Sequence, residues 1–131
     1  MTAPLDAVNP PELGAPRGFA HGLIAPAGGR TLFVAGQIGT DAASDDFIGQ
    51  FDRALARVLI VVTAAGGSAE HIARMTVYVT SMETYTDSRA ALRDVWRRHL
   101  GSHYPAMALV AVTALVDPNA SVEIEATAVL P

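Results

Sequence analysis

Glu123 and Glu125, two residues apart, are the side chains best suited to acid–base chemistry in this chain. They lie in Ser121–Val129, whose alternating apolar and polar residues read as a strand, so both carboxylates emerge on one face. A carboxyl group among apolar neighbours holds its proton to higher pH and can activate water. Met107 and Leu109, in the apolar stretch Tyr104–Val112, are candidates for such neighbours. The same pair also fits a polar sheet face turned to solvent or lining a barrel, and spacing alone leaves both readings open.

Other chemistries have weaker support. His21, His71, His99 and His103 are scattered without the His-x-x-x-His spacing of a helical zinc site, and the chain has no cysteine, so no metal site is expected. His21 follows Phe19 by two residues and shares its side of a strand; a ligand contact and a surface imidazole both fit. Ser44, Ser68, Ser81 and Ser88 lack a nucleophile-elbow context. Gly28-Gly29 and Gly66-Gly67 read as turn and cap glycines outside any GxGxxG or Walker pattern, so nucleotide binding is not expected.

The elements that must position these residues are legible in outline. Met1–Pro16, with Pro4, Pro10, Pro11 and Pro16, reads as an extended arm, and residues 17–131 as one domain. Phe19–Ile24 and Thr31–Ile38 read as strands joined into a hairpin through Pro26-Ala27-Gly28-Gly29. Ser44 is the expected cap of a helix, with Asp45 and Asp46 in its first turn. In that helix Phe47, Phe51, Ala54, Leu55, Val58, Leu59 and Val62 recur at helical spacing before Gly66-Gly67 stops it. His71–Thr80 alternates, with Ala73, Met75, Val77 and Val79 on one face. A second helix over about Tyr85–His99 buries Leu92, Val95 and Trp96 and ends at Gly101, and strands follow at Ala106–Thr113 and Ser121–Val129.

The predicted order is β-β-α-β-α-β-β, an α+β mixed sheet. Right-handed crossovers place both helices on one face and leave the other uncovered by this chain. The strand at Ala106–Thr113 is nonetheless apolar on both sides, which points to burial against further copies in a symmetric oligomer.

Composition narrows the function. The 131 residues suit one core. Half are apolar and 17% charged, a globular balance. A formal net charge of −4 without a basic run disfavours nucleic acid as the partner. The longest apolar run, Val58–Ala65, is far below the ~20 residues of a membrane span. No basic region followed by an apolar stretch opens the chain, and cysteine is lacking, so a cytoplasmic setting is expected.

From about Gly18 to Val129 the chain resembles the RidA (YjgF) family of imine and enamine deaminases. The likeness rests on Val34-Ala35-Gly36-Gln37-Ile38, Ala64-Ala65-Gly66, Met75-Thr76-Val77-Tyr78-Val79, Tyr104-Pro105-Ala106 and Glu123-Ile124-Glu125-Ala126, taken in this order. It implies a chorismate-mutase-like fold and a homotrimeric barrel with small-metabolite clefts between subunits. It also implies hydrolysis of 2-imino or enamine species to keto acids and ammonia, without a cofactor.

Carried over residue by residue, the resemblance assigns Glu123 to water positioning. Phe19, Ala35, Gly36, Gln37, Arg89, Tyr104, Met107 and Leu109 become the ligand-binding set. Phe19 matches a tyrosine and loses its hydroxyl, Ala35 matches a small hydroxyl residue, and Arg89 falls near an asparagine across an uncertain gap. Leu109 matches a cysteine. Met107 stands where the deaminases place the arginine that clamps the substrate carboxylate. In a desolvated cleft, removal of one charged partner costs ~2–5 kcal/mol, or about 30- to 4,000-fold. A thioether cannot replace that donor.

The expectation is therefore a divergent deaminase-like hydrolase without the standard 2-iminopropionate activity. The alternatives are a trimer that binds or senses a metabolite without catalysis, and a scaffold with vestigial clefts. Arg17 and Arg89 remain open as replacement anchors or as solvated surface side chains.

Overall fold

The computed structural model describes residues 5–41 and 46–131. Its elements are β1 (Asp6–Val8), β2 (Gly22–Ile24), β3 (Arg30–Ile38), α1 (Phe47–Ala64), β4 (Ile72–Val79), α2 (Met82–Leu100), β5 (Ala106–Ala111) and β6 (Val122–Leu130), with single 3-10 turns at Pro11–Leu13 and Ala69–His71. The main sheet runs β3-β6-β4-β5, with β6 antiparallel to both of its neighbours and β4 parallel to β5. This is the expected α+β arrangement with both helices on one face.

Alternation of side chains sets what each face carries. Met75, Val77 and Val79 of β4 and Val122, Ile124, Ala126 and Ala128 of β6 are buried against Phe47, Phe51, Ala54, Leu55, Val58 and Val62 of α1 and Leu92, Val95 and Trp96 of α2. At the start of β4 the register slips between Ile72 and Arg74, so Ile72 joins the core and Ala73, expected on the buried face, is only half-buried. The opposite face carries Phe33, Arg74, Thr76, Tyr78, Val110, Glu123 and Glu125, and no described residue covers it; Phe33 is 79% exposed.

Three local expectations change. The β2–β3 hairpin does not form: β2 pairs antiparallel with β1, inside the proline-rich arm, and Ala20 bridges to Ala106 at the start of β5. Asp46 caps α1, accepting the Gly49 N–H at 3.1 Å, whereas Ser44 and Asp45 lie outside the described residues. α2 begins three residues early because the Ser81 hydroxyl accepts the Thr84 N–H at 3.1 Å.

One buried polar side chain was not anticipated. Gln50, on the core side of α1, donates to the Asn119 carbonyl at 3.0 Å and accepts the Ser121 N–H at 2.8 Å. It thereby ties the segment entering β6, the strand of Glu123, to the first helix.

Candidate functional site

A cavity of about 430 Å³ opens where β5 forms the sheet edge beside α2. Met107 and Leu109 stand opposite Met75 and Val77 in the parallel register, so they point to the helix side and form its floor with Phe51, Val77 and Leu92. Trp96 reaches both core and cavity. Its indole N–H donates to the His103 carbonyl at 3.1 Å, and its ring stacks on Tyr104 with centroids 5.9 Å apart and planes at 6°.

Arg17 and Gly18 close one side, held there by the Ala20 N–H donating to the Pro105 carbonyl at 3.0 Å. Along α2 the lining residues Tyr85, Arg89, Arg93 and Arg97 follow one another at four-residue spacing, which puts them along one stripe of the helix. Among the described residues, no aspartate or glutamate lines this cavity.

Glu123 lies elsewhere. In the antiparallel registers it faces Tyr78 and Ile38, on the sheet face away from the helices. Between Val34 and Gln37 the β3–β6 register shifts, and the backbone at Gly36 comes against the Glu123 side chain: a Cβ on Gly36 would sit 2.7 Å from Glu123 Cδ and 2.8 Å from Oε2. Gln37 pairs with Ile124 and its amide donates to the Ala35 carbonyl at 3.1 Å. Next along β6, Glu125 accepts a hydrogen bond from Tyr78 Oη at 3.0 Å. That bond, with some desolvation and the charge of Glu125, raises the Tyr78 phenol above its ordinary pKa. A smaller cavity of about 170 Å³ lies on the same face against Phe33, Arg74, Thr76 and Glu125.

The expected site residues thus fall into two groups. Arg89, Tyr104, Met107 and Leu109 meet in the cavity at the β5 edge, whereas Ala35, Gly36 and Gln37 accompany Glu123 at the β3–β6 bulge. Met107 and Leu109 are not the apolar neighbours of Glu123 proposed from the sequence, because strand alternation sends them through the opposite side of the sheet. Phe19 packs edge-on against His21, with centroids 5.1 Å apart, and is not part of the cavity lining. His21 in turn contacts the Gly14 carbonyl through Nε2 at 3.1 Å. Arg93, Arg97 and Tyr78 were missed; the arginines carried a signal in their four-residue spacing from Arg89. Among the described residues, no group of three or more histidines, aspartates or glutamates is arranged to hold a metal, and no helix is long and apolar enough to cross a membrane.

The model of the Endoribonuclease L-PSP family, to which the YjgF/RidA proteins belong, matches residues 13–130. The chain belongs to the RidA family. Protein DfrA of Myxococcus xanthus is 33% identical over 106 residues, covering 77% of each chain. The 2-iminobutanoate/2-iminopropanoate deaminase of Capra hircus is 30% identical over 105 residues, covering 76% of this chain and 73% of its own. Among solved structures, the Rid-family protein YyfB from Yersinia pestis superposes with a TM-score of 0.82 at 29% identity, covering 97% of this chain and 99% of that one. The residues matched by the family model, 13–130, include both the β5 edge and the β3–β6 bulge.

Proposed function

We propose that this chain forms a homotrimer with a small-metabolite cleft between neighbouring subunits, and that it acts there as a divergent imine or enamine deaminase-like hydrolase. One observation carries the reading: the cavity at Met107 and the carboxylate of Glu123 lie on opposite sides of one sheet, so a single chain holds two half-sites. A ring of copies would bring the Glu123 half of one subunit to the β5 half of the next. The exposed Phe33 and the 41% exposed Val110 would then leave solvent. The resemblance to the RidA family implies the trimer, and the goat relative named above is a 2-iminobutanoate/2-iminopropanoate deaminase.

In the proposed reaction Glu123 takes a proton from water as the water oxygen adds to the C=N carbon. The proton passes to nitrogen, and the resulting carbinolamine collapses to a carbonyl compound and ammonia. The backbone beside Gly36 and Gln37, with Tyr104, Met107 and Leu109, would hold the substrate and exclude water. Residues 17–131 form the RidA-like unit in this reading, with 1–16 an arm fastened through β1. The methionine also favours a second reading, in which the same trimer binds or senses a metabolite without turnover.

Ammonia release from 2-iminopropionate, generated in situ, tests the proposal alongside a set of less acidic imines and enamines. Wild type should be slow on 2-iminopropionate and faster on at least one other imine, and Met107→Arg should raise 2-iminopropionate turnover by about 30-fold or more. Fast 2-iminopropionate hydrolysis by the wild type, or a monomer in sedimentation, would overturn it. Inertness toward every imine, with a trimer intact, would leave the binding reading in its place.

A further inference from the structure

The chain has nine arginines and no lysine. Four of them bond to protein acceptors: Arg30 to the Pro131 carbonyl, Arg53 to Gly39, Arg57 to Ile38 and Arg98 to the Asp52 carboxylate. Another four, Arg17, Arg89, Arg93 and Arg97, line the cavity at the β5 edge, and none of their guanidinium groups has a hydrogen-bond or ion-pair partner among the described residues. A chain with a formal net charge of −4 thus gathers like charges around one opening, with no carboxylate among the described lining residues to offset them. Crowded cations of this kind attract an anion, and the planar fork of arginine suits a carboxylate.

The charge is displaced from the floor. Met107, Leu109, Phe51, Val77 and Leu92 make the bottom apolar, whereas the guanidinium groups are on exposed residues of α2 and on the segment before β2. A ligand whose carboxylate adjoins the atom lodged at Met107 would meet a thioether there. One whose carboxylate is separated from that end by several carbons would place hydrocarbon on Met107 and charge at the mouth. The volume of about 430 Å³ lies in the ~300–1,000 Å³ range of pockets that enclose ligands well beyond three carbons.

We propose that this cavity takes an amphipathic carboxylate, its charged group held at the mouth by Arg89 and Arg93 with Arg17 opposite, and its hydrocarbon body against Met107 and Leu109. The inference rests on the reading that the cavity at the β5 edge is the ligand cleft of the RidA-like trimer, and it names the class of molecule admitted there. The charge is supplied by a helix stripe across the cavity from the strand position where Met107 stands.

The only tryptophan, Trp96, lines the cavity and reports directly on occupancy. The full chain is titrated with octanoate, 1-octanol and acetate, with tryptophan emission as the readout. Octanoate should give a saturable change, while octanol, lacking charge, and acetate, lacking the body, should each bind at least about tenfold more weakly. The double variant Arg89→Gln/Arg93→Gln should lose about tenfold in octanoate affinity, since two exposed charge contacts are each modest, and the loss should shrink in high salt. Arg30→Gln, away from the cavity, should change nothing.

Both variants change exposed positions, and thermal unfolding close to that of the wild type is expected to show that the fold is kept. Octanol binding as tightly as octanoate, an unaffected double variant, or no saturable response to octanoate would each overturn the inference. A failed imine assay with octanoate binding intact would remove the hydrolase and leave this site standing. Imine turnover without octanoate binding would remove the site and leave the hydrolase.

Discussion

Gly36→Ala is the substitution that most sharply tests the placement of Glu123. Gly36 does not have positive φ, so alanine meets no backbone strain there. Its new methyl would lie 2.7 Å from Glu123 Cδ and 2.8 Å from Oε2, against a comfortable carbon separation of ~3.5–4.0 Å. The obstacle is the far end of a flexible side chain, so Glu123 moves by roughly 1 Å and the backbone stays. The rotamer change costs about 0.5–1.5 kcal/mol, partly offset by the ~0.4–1 kcal/mol that alanine gains through a less flexible unfolded chain. Stability should therefore shift by less than about 1 kcal/mol in urea denaturation.

Function should suffer far more, because a ~1 Å displacement of a positioning group can lower a rate about 100-fold. The assay is kcat/KM for ammonia release on the best imine found for the wild type, with Glu123→Gln beside it; both variants should fall by a similar factor. Gly39→Ala is the structural contrast. Its Cβ would run into the Gln50 carbonyl oxygen and lie 2.8 Å from the Ala54 nitrogen, both backbone atoms, so it should cost about 1–3 kcal/mol or more. Full activity in a folded Gly36→Ala protein would refute the role given to Glu123.

Gln50→Leu keeps approximate volume but strands the Asn119 carbonyl and Ser121 N–H, and should cost about 1–3 kcal/mol in denaturant midpoint analysis; a neutral result would mean that the β6 entry is held by other contacts. At the α1–α2 contact, Asp52 accepts from His99 Nε2 at 2.5 Å and Arg98 at 3.2 Å, and these bonds, opposed by desolvation, hold its carboxyl below the usual carboxylate range. The unfolded chain therefore takes up this proton first: the stabilisation is whole above an unfolded value of ~3.9 and is lost as pH falls through the lower folded one. Asp52→Asn should cost about 0.2–1 kcal/mol near pH 6, with the gap to wild type closing toward pH 2. A gap that widens on acidification would contradict that sign.

Much of the architecture was legible because local periodicity and burial agree. The seven apolar residues that recur at helical spacing in α1, the alternation of Met75, Val77 and Val79, and the glycine stops at Gly66 and Gly101 each follow from one segment's own spacing. The motifs that carry the family resemblance likewise fall on β3, at the start of β5 and on β6, the strands of Gly36, Met107 and Glu123. Helix starts were less legible, since Ser81 and Asp46 declare themselves as caps only through the hydrogen bonds they make.

The sequence by itself determined the α+β class, the family and the presence of an uncharged thioether at position 107, because these depend on residue identity and short-range order. Only the tertiary structure decided that β2 pairs with β1, that the bulge at Gly36 seats Glu123, that Met107 and Glu123 emerge on opposite faces, and that Arg17 joins Arg89, Arg93 and Arg97 around one cavity. Strand pairing joins residues far apart in the chain, and a shift of one position in its register exchanges the faces. No local pattern encodes that choice; it is made by which apolar faces can be buried together.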